Sequence, residues 1–137
     1  MPKFSNRSIQ RLVTCDKQLQ DVMGKVIDVL DITILEGIRS EERQDELYRQ
    51  GKSRLQYPNS KHNVKDEGGL SRAVDIAPWI SGRGIDWSNT EHFHYMAGIV
   101  LGIASQMNVK IRWGGDWNRN QYSGDEQFLD MVHFELD

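Results

Sequence analysis

Two separated stretches of this sequence carry residues whose types and spacing suit hydrolytic chemistry. One is the last eight residues, Asp130-Met131-Val132-His133-Phe134-Glu135-Leu136-Asp137; the other runs from Ser60-Lys61-His62 to Ala73-Val74-Asp75-Ile76-Ala77-Pro78. If the fold brings them together, they supply two histidines, a ligand carboxylate and a spare carboxylate, the inventory of a hydrolytic zinc site. Such a site takes three protein ligands and leaves one coordination position open, a count that His62, Asp75 and His133 meet.

Strand parity supports that choice. In a strand over 73–77, Ala73, Asp75 and Ala77 share one face, so Asp75 projects from among small residues with room beside it. In the last strand Phe134 and Leu136 face the core, while His133 and Glu135 share the other side, where Glu135 can orient a ligand. Asp130 lies three residues before His133 and outside the ligand set. With an ordinary pKa of about 3.9 it is ionised at neutral pH and can take a proton from attacking water, then return it to a leaving amine. Arg39 offers a fork of donors for a substrate carboxylate or an oxyanion.

Each residue also has a plainer reading. A histidine is more often hydrogen-bonded than metal-bound, a strand aspartate is often a cap or ion-pair partner, Asp130 can simply close a turn, and Arg39 can pair with Glu36 or Glu41. Against this, an ionised Asp75 inside an apolar pentapeptide is costly unless neutralised. His92 and His94 are two apart on a predicted helix and point apart, so they are set aside as ligands. Asp116, within Trp113-Gly114-Gly115-Asp116-Trp117, either shapes a cleft or bonds within a tight turn. Cys15 reads as a small buried hydrophobe.

The elements that must position these groups are legible in the periodicity. Helices are expected at 8–13, at 16–30 with Asp16 as cap, from Ser40 to near Gly51, and over Phe93 to Met107, where apolar residues recur at i, i+3, i+4 and i+7. Strands are expected at 32–39, 73–77, 109–113 and 133–136. The first would put Thr33, Leu35 and Arg39 on one face. Residues 52–72 read as a long loop, 81–89 as a connection flanked by partly buried Trp79 and Trp87, and 114–127 as another loop. Strands and helices mix without a βαβ rhythm, so the expected class is α+β with a small, mainly antiparallel sheet and flanking helices.

Composition narrows the function classes. At 137 residues, one domain over 1–137 is expected. A net charge of -3 gives no global reason to expect nucleic acid. The single cysteine closes no internal disulfide, and no apolar run reaches membrane-spanning length or forms a signal peptide. Synthesis in the cytoplasm without an export route, and no membrane insertion, are the resulting expectations.

Taken together, Glu36-Gly37-Ile38-Arg39-Ser40, Ser60-Lys61-His62 with Ala73 to Pro78, Arg112-Trp113-Gly114-Gly115-Asp116-Trp117, and Asp130-x-x-His133-Phe134-Glu135-Leu136 are specific. From about Arg11 to the C-terminus the chain resembles phage endolysins of the D-Ala-D-Ala carboxypeptidase-like zinc peptidases, specifically the L-alanyl-D-glutamate peptidases. The resemblance implies a hedgehog/D-Ala-D-Ala peptidase-like fold, Zn2+ on His62, Asp75 and His133, Asp130 as catalytic base, and Arg39 as transition-state stabiliser. It implies cleavage of the L-Ala-D-Glu bond of peptidoglycan stem peptides by a monomer without a separate wall-binding domain. That monomer would be released from the host cytoplasm to the wall by a partner such as a holin. Twelve residues separate His62 from Asp75 where the family pattern has six, which leaves Asp66 as a rival ligand. The competing functions are a D-Ala-D-Ala carboxypeptidase or dipeptidase and a non-catalytic zinc-stabilised binding module. Retention of Asp130 beside a ligand argues against the last, since a purely structural site needs no free base.

Overall fold

Short polar residues start the helices and β-branched runs make the strands. The protein's structure, a computed structural model, describes residues 2–122, 124 and 129–137. Ser5 caps α1 (Asn6–Leu12) by accepting from the Ser8 amide, Asp16 caps α2 (Lys17–Val26) by accepting from Gln18, and Ser40 caps α3 (Glu41–Arg49) by accepting from Arg43. Glu41 and Glu42 add favourable charge at the start of α3, and Gly51, at φ 73°, ends its last turn. The longest helix, α4 (Thr90–Gln106), begins behind Asn89 and buries Phe93, Met96, Ala97, Val100 and Ala104. Its apolar spacing is the one read from the sequence.

The strands are β1 (Ile32–Glu36), β2 (Ala73–Pro78), β3 (Ile111–Gly114) and β4 (Asp130–Leu136). They form one antiparallel sheet in the order β1-β2-β4-β3, which gives the expected α+β class. Both central strands carry site residues, so the middle of the sheet is the platform of the site. Beneath it, Ile34, Val74, Ile76 and Phe134 join Leu19, Val22, Met23 and Val26 of α2 and the buried face of α4 in a continuous apolar core. Phe134 is fully buried; burying a side chain of that size contributes about 1.5–3 kcal/mol relative to exposure. Among the described residues no helix is long and apolar enough to cross a membrane.

Several boundaries differ from expectation for local reasons. The strand foreseen to reach Arg39 stops at Glu36, because the pairing slips between Ile34 and Glu36 and puts Glu36 opposite Asp75. Arg39 therefore stands in the turn beyond the strand, its amide donating to the His62 carbonyl at 2.9 Å. The last strand starts at Asp130 rather than His133, since Asp130 already pairs with Gly114. Trp79 and Trp87 are 42% and 60% exposed rather than partly buried; Trp87 lies stacked on Phe93 at the surface. The long loop between α3 and β2 is present as read. Of the loop expected at 114–127, residues 123 and 125–127 lie outside the described residues.

Candidate metal centre and cleft

The register of the sheet brings the first two candidate ligands together: Asp75 of β2 is the direct partner of His133 on β4. His62 arrives from the loop, its amide held by Ser60 Oγ at 3.2 Å. The three donor atoms form a nearly equilateral triangle. His62 Nε2 lies 3.0 Å from Asp75 Oδ1 and 3.1 Å from His133 Nδ1, which is 3.1 Å from the same Asp75 oxygen. Ligands about 2.0–2.1 Å from a tetrahedral zinc stand about 3.3 Å apart, so this triangle needs only slight opening to hold one.

The hydrogen bonds behind the ligands give independent evidence of fit. His62 Nδ1 donates to the Gly37 carbonyl at 2.7 Å, because a carbonyl can only accept; in the neutral ring this leaves Nε2 bare. His133 Nε2 donates to Glu135 Oε1 at 2.9 Å, which leaves Nδ1 bare. Two bare nitrogens and a carboxylate oxygen thus converge in a buried place where their lone pairs repel unless a cation or extra protons lie among them. Such partners behind ligating histidines fix tautomer and ring orientation. His62 is fully buried and His133 is 7% exposed, so water does little to screen that demand. Asp66 sits on an exposed turn outside this cluster.

Asp75 and His133 of the triad line a cleft of about 710 Å³, together with Arg39, Asp130, Glu135, Arg112 and Trp117. Asp130 reaches its place through a close backbone approach: a Cβ on Gly114 would fall 2.2 Å from the Asp130 carbonyl oxygen. Only glycine lets β3 sit against the start of β4 there. Arg39 is buried, with Nε and Nη2 donating to Glu36 Oε1 at 3.0 and 2.7 Å, Nη1 to Gln44 at 3.0 Å, and Nη2 to Asp75 Oδ2 at 3.3 Å. The pairing with Glu36 is real, yet the guanidinium is no surface ornament. It touches the Asp75 carboxylate of the triad and lines the cleft.

A family model described as phage L-alanyl-D-glutamate peptidase matches residues 1–137. The chain belongs to that family. This peptidase is 32% identical over 127 residues to the L-alanyl-D-glutamate peptidase of Escherichia phage T5, covering 90% of this chain and 88% of the phage T5 protein. It also resembles the crystal structure of Serratia marcescens L-Ala D-Glu endopeptidase ChiX, with a TM-score of 0.72 at 22% identity over 98% of this chain and 90% of that one, a likeness of fold.

The electrostatics of the peptidase follow from the same contacts. Burial works against ionising Asp75, but the charge and hydrogen bonds of His62 and His133 outweigh it and hold Asp75 far below the usual carboxylate range. Burial also opposes a charge on His133, yet its bonds to Asp75 and Glu135 raise it from 6.5 to about 9. Glu135, despite its burial, is lowered from 4.5 to about 2 by His133 and Arg112, whose Nη2 donates to Oε2 at 2.8 Å. Asp130 goes the other way: burial first, then the neighbouring charge of Asp75, raise it above an ordinary aspartate. A carboxylate of raised pKa is a stronger base once ionised.

The remaining candidates divide clearly. Asp116 bonds within its turn, accepting from the Asn120 and Gln121 amides at 3.1 and 2.8 Å. In the same motif Trp113 stacks on Phe134 in the core, while the Trp117 ring lies 5.4 Å from that of His133 at the cleft. His94 Nδ1 donates to the Thr90 carbonyl at 2.7 Å within α4, away from the triad. Burial pushes the Cys15 thiol up to about 12, so it is an inert packing residue. Sequence reasoning missed Gln44 and the Gly37 carbonyl. A glutamine on the polar-looking α3 carried no signal, although Gly37 stood in plain view beside Arg39.

Proposed function

We propose that the protein is a zinc-dependent endopeptidase that hydrolyses the L-Ala-D-Glu bond of peptidoglycan stem peptides, a phage endolysin for host lysis. The observation that carries the reading is the triangle of His62 Nε2, Asp75 Oδ1 and His133 Nδ1, with edges of 3.0–3.1 Å, two of whose members, Asp75 and His133, line a cleft together with Asp130 and Arg39. His62, Asp75 and His133 hold Zn2+ in this reading. When bound, zinc supplies the Lewis acidity that polarises a carbonyl and acidifies water.

The chain's own residues supply the rest. The poorly solvated Asp130 carboxylate takes the proton from water as it attacks the L-Ala carbonyl carbon and passes it to the amino group of D-Glu as that leaves. Arg39 donates to the carbonyl oxygen as it gains negative charge. The family match over residues 1–137 supports treating them as one catalytic domain. The working form is a monomer, and a partner such as a phage holin releases it from the host cytoplasm to the wall.

Digestion of purified peptidoglycan, with products read by mass spectrometry, tests this. Zinc-loaded protein is expected to generate new N-terminal D-Glu, a chelator to stop it, and Asp130→Asn to slow it by about 10²–10⁴-fold with zinc retained. Released D-Ala, or no cleavage by zinc-loaded protein, would overturn the reading.

A further inference from the structure

We propose that Gln44 is a positioning residue that aims Arg39 at the reacting centre, an inference that rests on the peptidase reading above. Gln44 is fully buried although it lies on a helix that is otherwise mostly exposed. Its amide is saturated. Oε1 accepts from Arg39 Nη1 at 3.0 Å and from Asn63 Nδ2 at 3.3 Å, and Nε2 donates to Ser53 Oγ at 2.9 Å and to the Leu55 carbonyl at 2.6 Å. One side chain therefore ties together the guanidinium, the residue after ligand His62, and the Ser53–Leu55 segment that lines the cleft.

The geometry of the guanidinium explains why this tie matters. Arg39 has five N–H groups in a rigid plane, and Glu36, Asp75 and Gln44 occupy four of them. Among the described residues the fifth, on Nη1, is the donor left for a substrate. Glu36 and Asp75 hold only the Nε and Nη2 edge. Gln44 adds a third anchor, on Nη1 itself, so the plane is held from both ends and the remaining Nη1 hydrogen has a set direction. The anchor is neutral, so it sets direction without drawing off the positive charge that an oxyanion needs.

Apolar packing does not account for a glutamine at this position. The core beneath the sheet is apolar and does not include Gln44, and a buried amide without partners would cost stability. Its placement is accounted for by the four bonds it makes.

The test is a double-mutant cycle on zinc-loaded protein, with kcat and KM from stem-peptide cleavage and zinc content and Tm measured beside them. Gln44→Met keeps the size and removes the hydrogen bonds. Expected is a loss of about 10–100-fold in kcat, with KM changed by less than about 3-fold and zinc retained. In an Arg39→Met background the same substitution is expected to cost nothing further, because there is no guanidinium left to aim. An equal loss in both backgrounds would make Gln44 a mere structural support and overturn the proposal, as would Arg39→Met with unchanged kcat. If Gln44→Met does not fold, Gln44→Asn, which keeps an amide for the cleft wall but withdraws its oxygen from Arg39, runs the same cycle with the same expected pattern. Failure of the underlying reading is distinct, since the unmutated protein would then yield no D-Glu N-terminus at all.

Discussion

Asp75 and His133 face each other across paired strands, whereas His62 reaches the same point from a loop without regular structure. The first pair is set by the sheet register, which the apolar residues Val74, Ile76 and Phe134 fix by burying the opposite face. His62 depends instead on single contacts. Its Nδ1 donates to Gly37, its amide to Ser60 Oγ, and its carbonyl accepts from the Arg39 amide. A candidate ligand on a strand is thus robust to distant change and sensitive only to its own side chain, while the candidate on the loop inherits the behaviour of residues far off in sequence.

The largest test removes a strand ligand. His133→Ala is expected to lose zinc and to lower activity by more than about 10³-fold, the scale of several kcal/mol of Lewis-acid assistance. The fold is expected to survive, because Phe134 and Leu136 still anchor β4 in the core. Metal analysis and circular dichroism check both halves; full zinc occupancy in this variant would refute the ligand assignment.

The next test sets the residues behind the two histidines against each other. Glu135→Gln weakens the bond that orients His133, and zinc affinity is expected to drop about 10–100-fold with a smaller change in metal-free stability. Gly37→Ala acts on His62 through the backbone. The added methyl would meet Thr14 Oγ1 at 2.3 Å, the Arg11 carbonyl oxygen at 2.6 Å and Cys15 Sγ at 2.8 Å, so the turn must shift and carry its carbonyl away from Nδ1. A similar loss of zinc affinity is expected, now accompanied by about 1–3 kcal/mol of destabilisation from overpacking. Titration with a competing chelator and thermal melts separate the two. A Gly37→Ala protein with native affinity and native Tm would break the contrast between strand and loop.

What was legible in the sequence follows the same division. Strand parity placed Asp75 on the small-residue face of its strand and His133 with Glu135 on one side of theirs, and helical spacing located α4, because both signals repeat along the chain and report which face is buried. Arg39 was read as ending a strand because a run of β-branched residues does not announce a bulge; the slip at Glu36 is set by pairing with β2, forty residues away. The partners of His62 were invisible for the same reason: a hydrogen bond between a ring nitrogen and the carbonyl of Gly37 leaves no periodic trace. Trp79 and Trp87 misled in the opposite sense, since large aromatics near turns were credited with burial that the fold gives to Trp113 instead. The twelve residues between His62 and Asp75 raised Asp66 as a rival, and only the folded loop removes it.

The smallest effect is a pH dependence that separates metal-free from metal-loaded protein. Without metal, Glu135 has its folded pKa lowered from 4.5 to about 2, so its contribution to stability is present above pH 4.5 and is lost as pH falls through about 2. His133 has its folded pKa raised from 6.5 to about 9, so its contribution is full below pH 6.5 and is lost as pH rises through about 9. The metal-free protein is therefore expected to melt highest between about pH 4.5 and 6.5 and to lose several degrees of Tm by pH 9. Zinc reverses the alkaline limb, because a bound ligand nitrogen must be unprotonated and rising pH removes the competing proton. Tm of the zinc-loaded protein is then expected to hold or rise over the same interval. Calorimetry of both forms from pH 6 to 9.5 checks the sign. A metal-free Tm that stays level there would mean that His133 carries no extra proton in the folded state, and that Glu135 and Asp75 do not hold it in the way their distances imply.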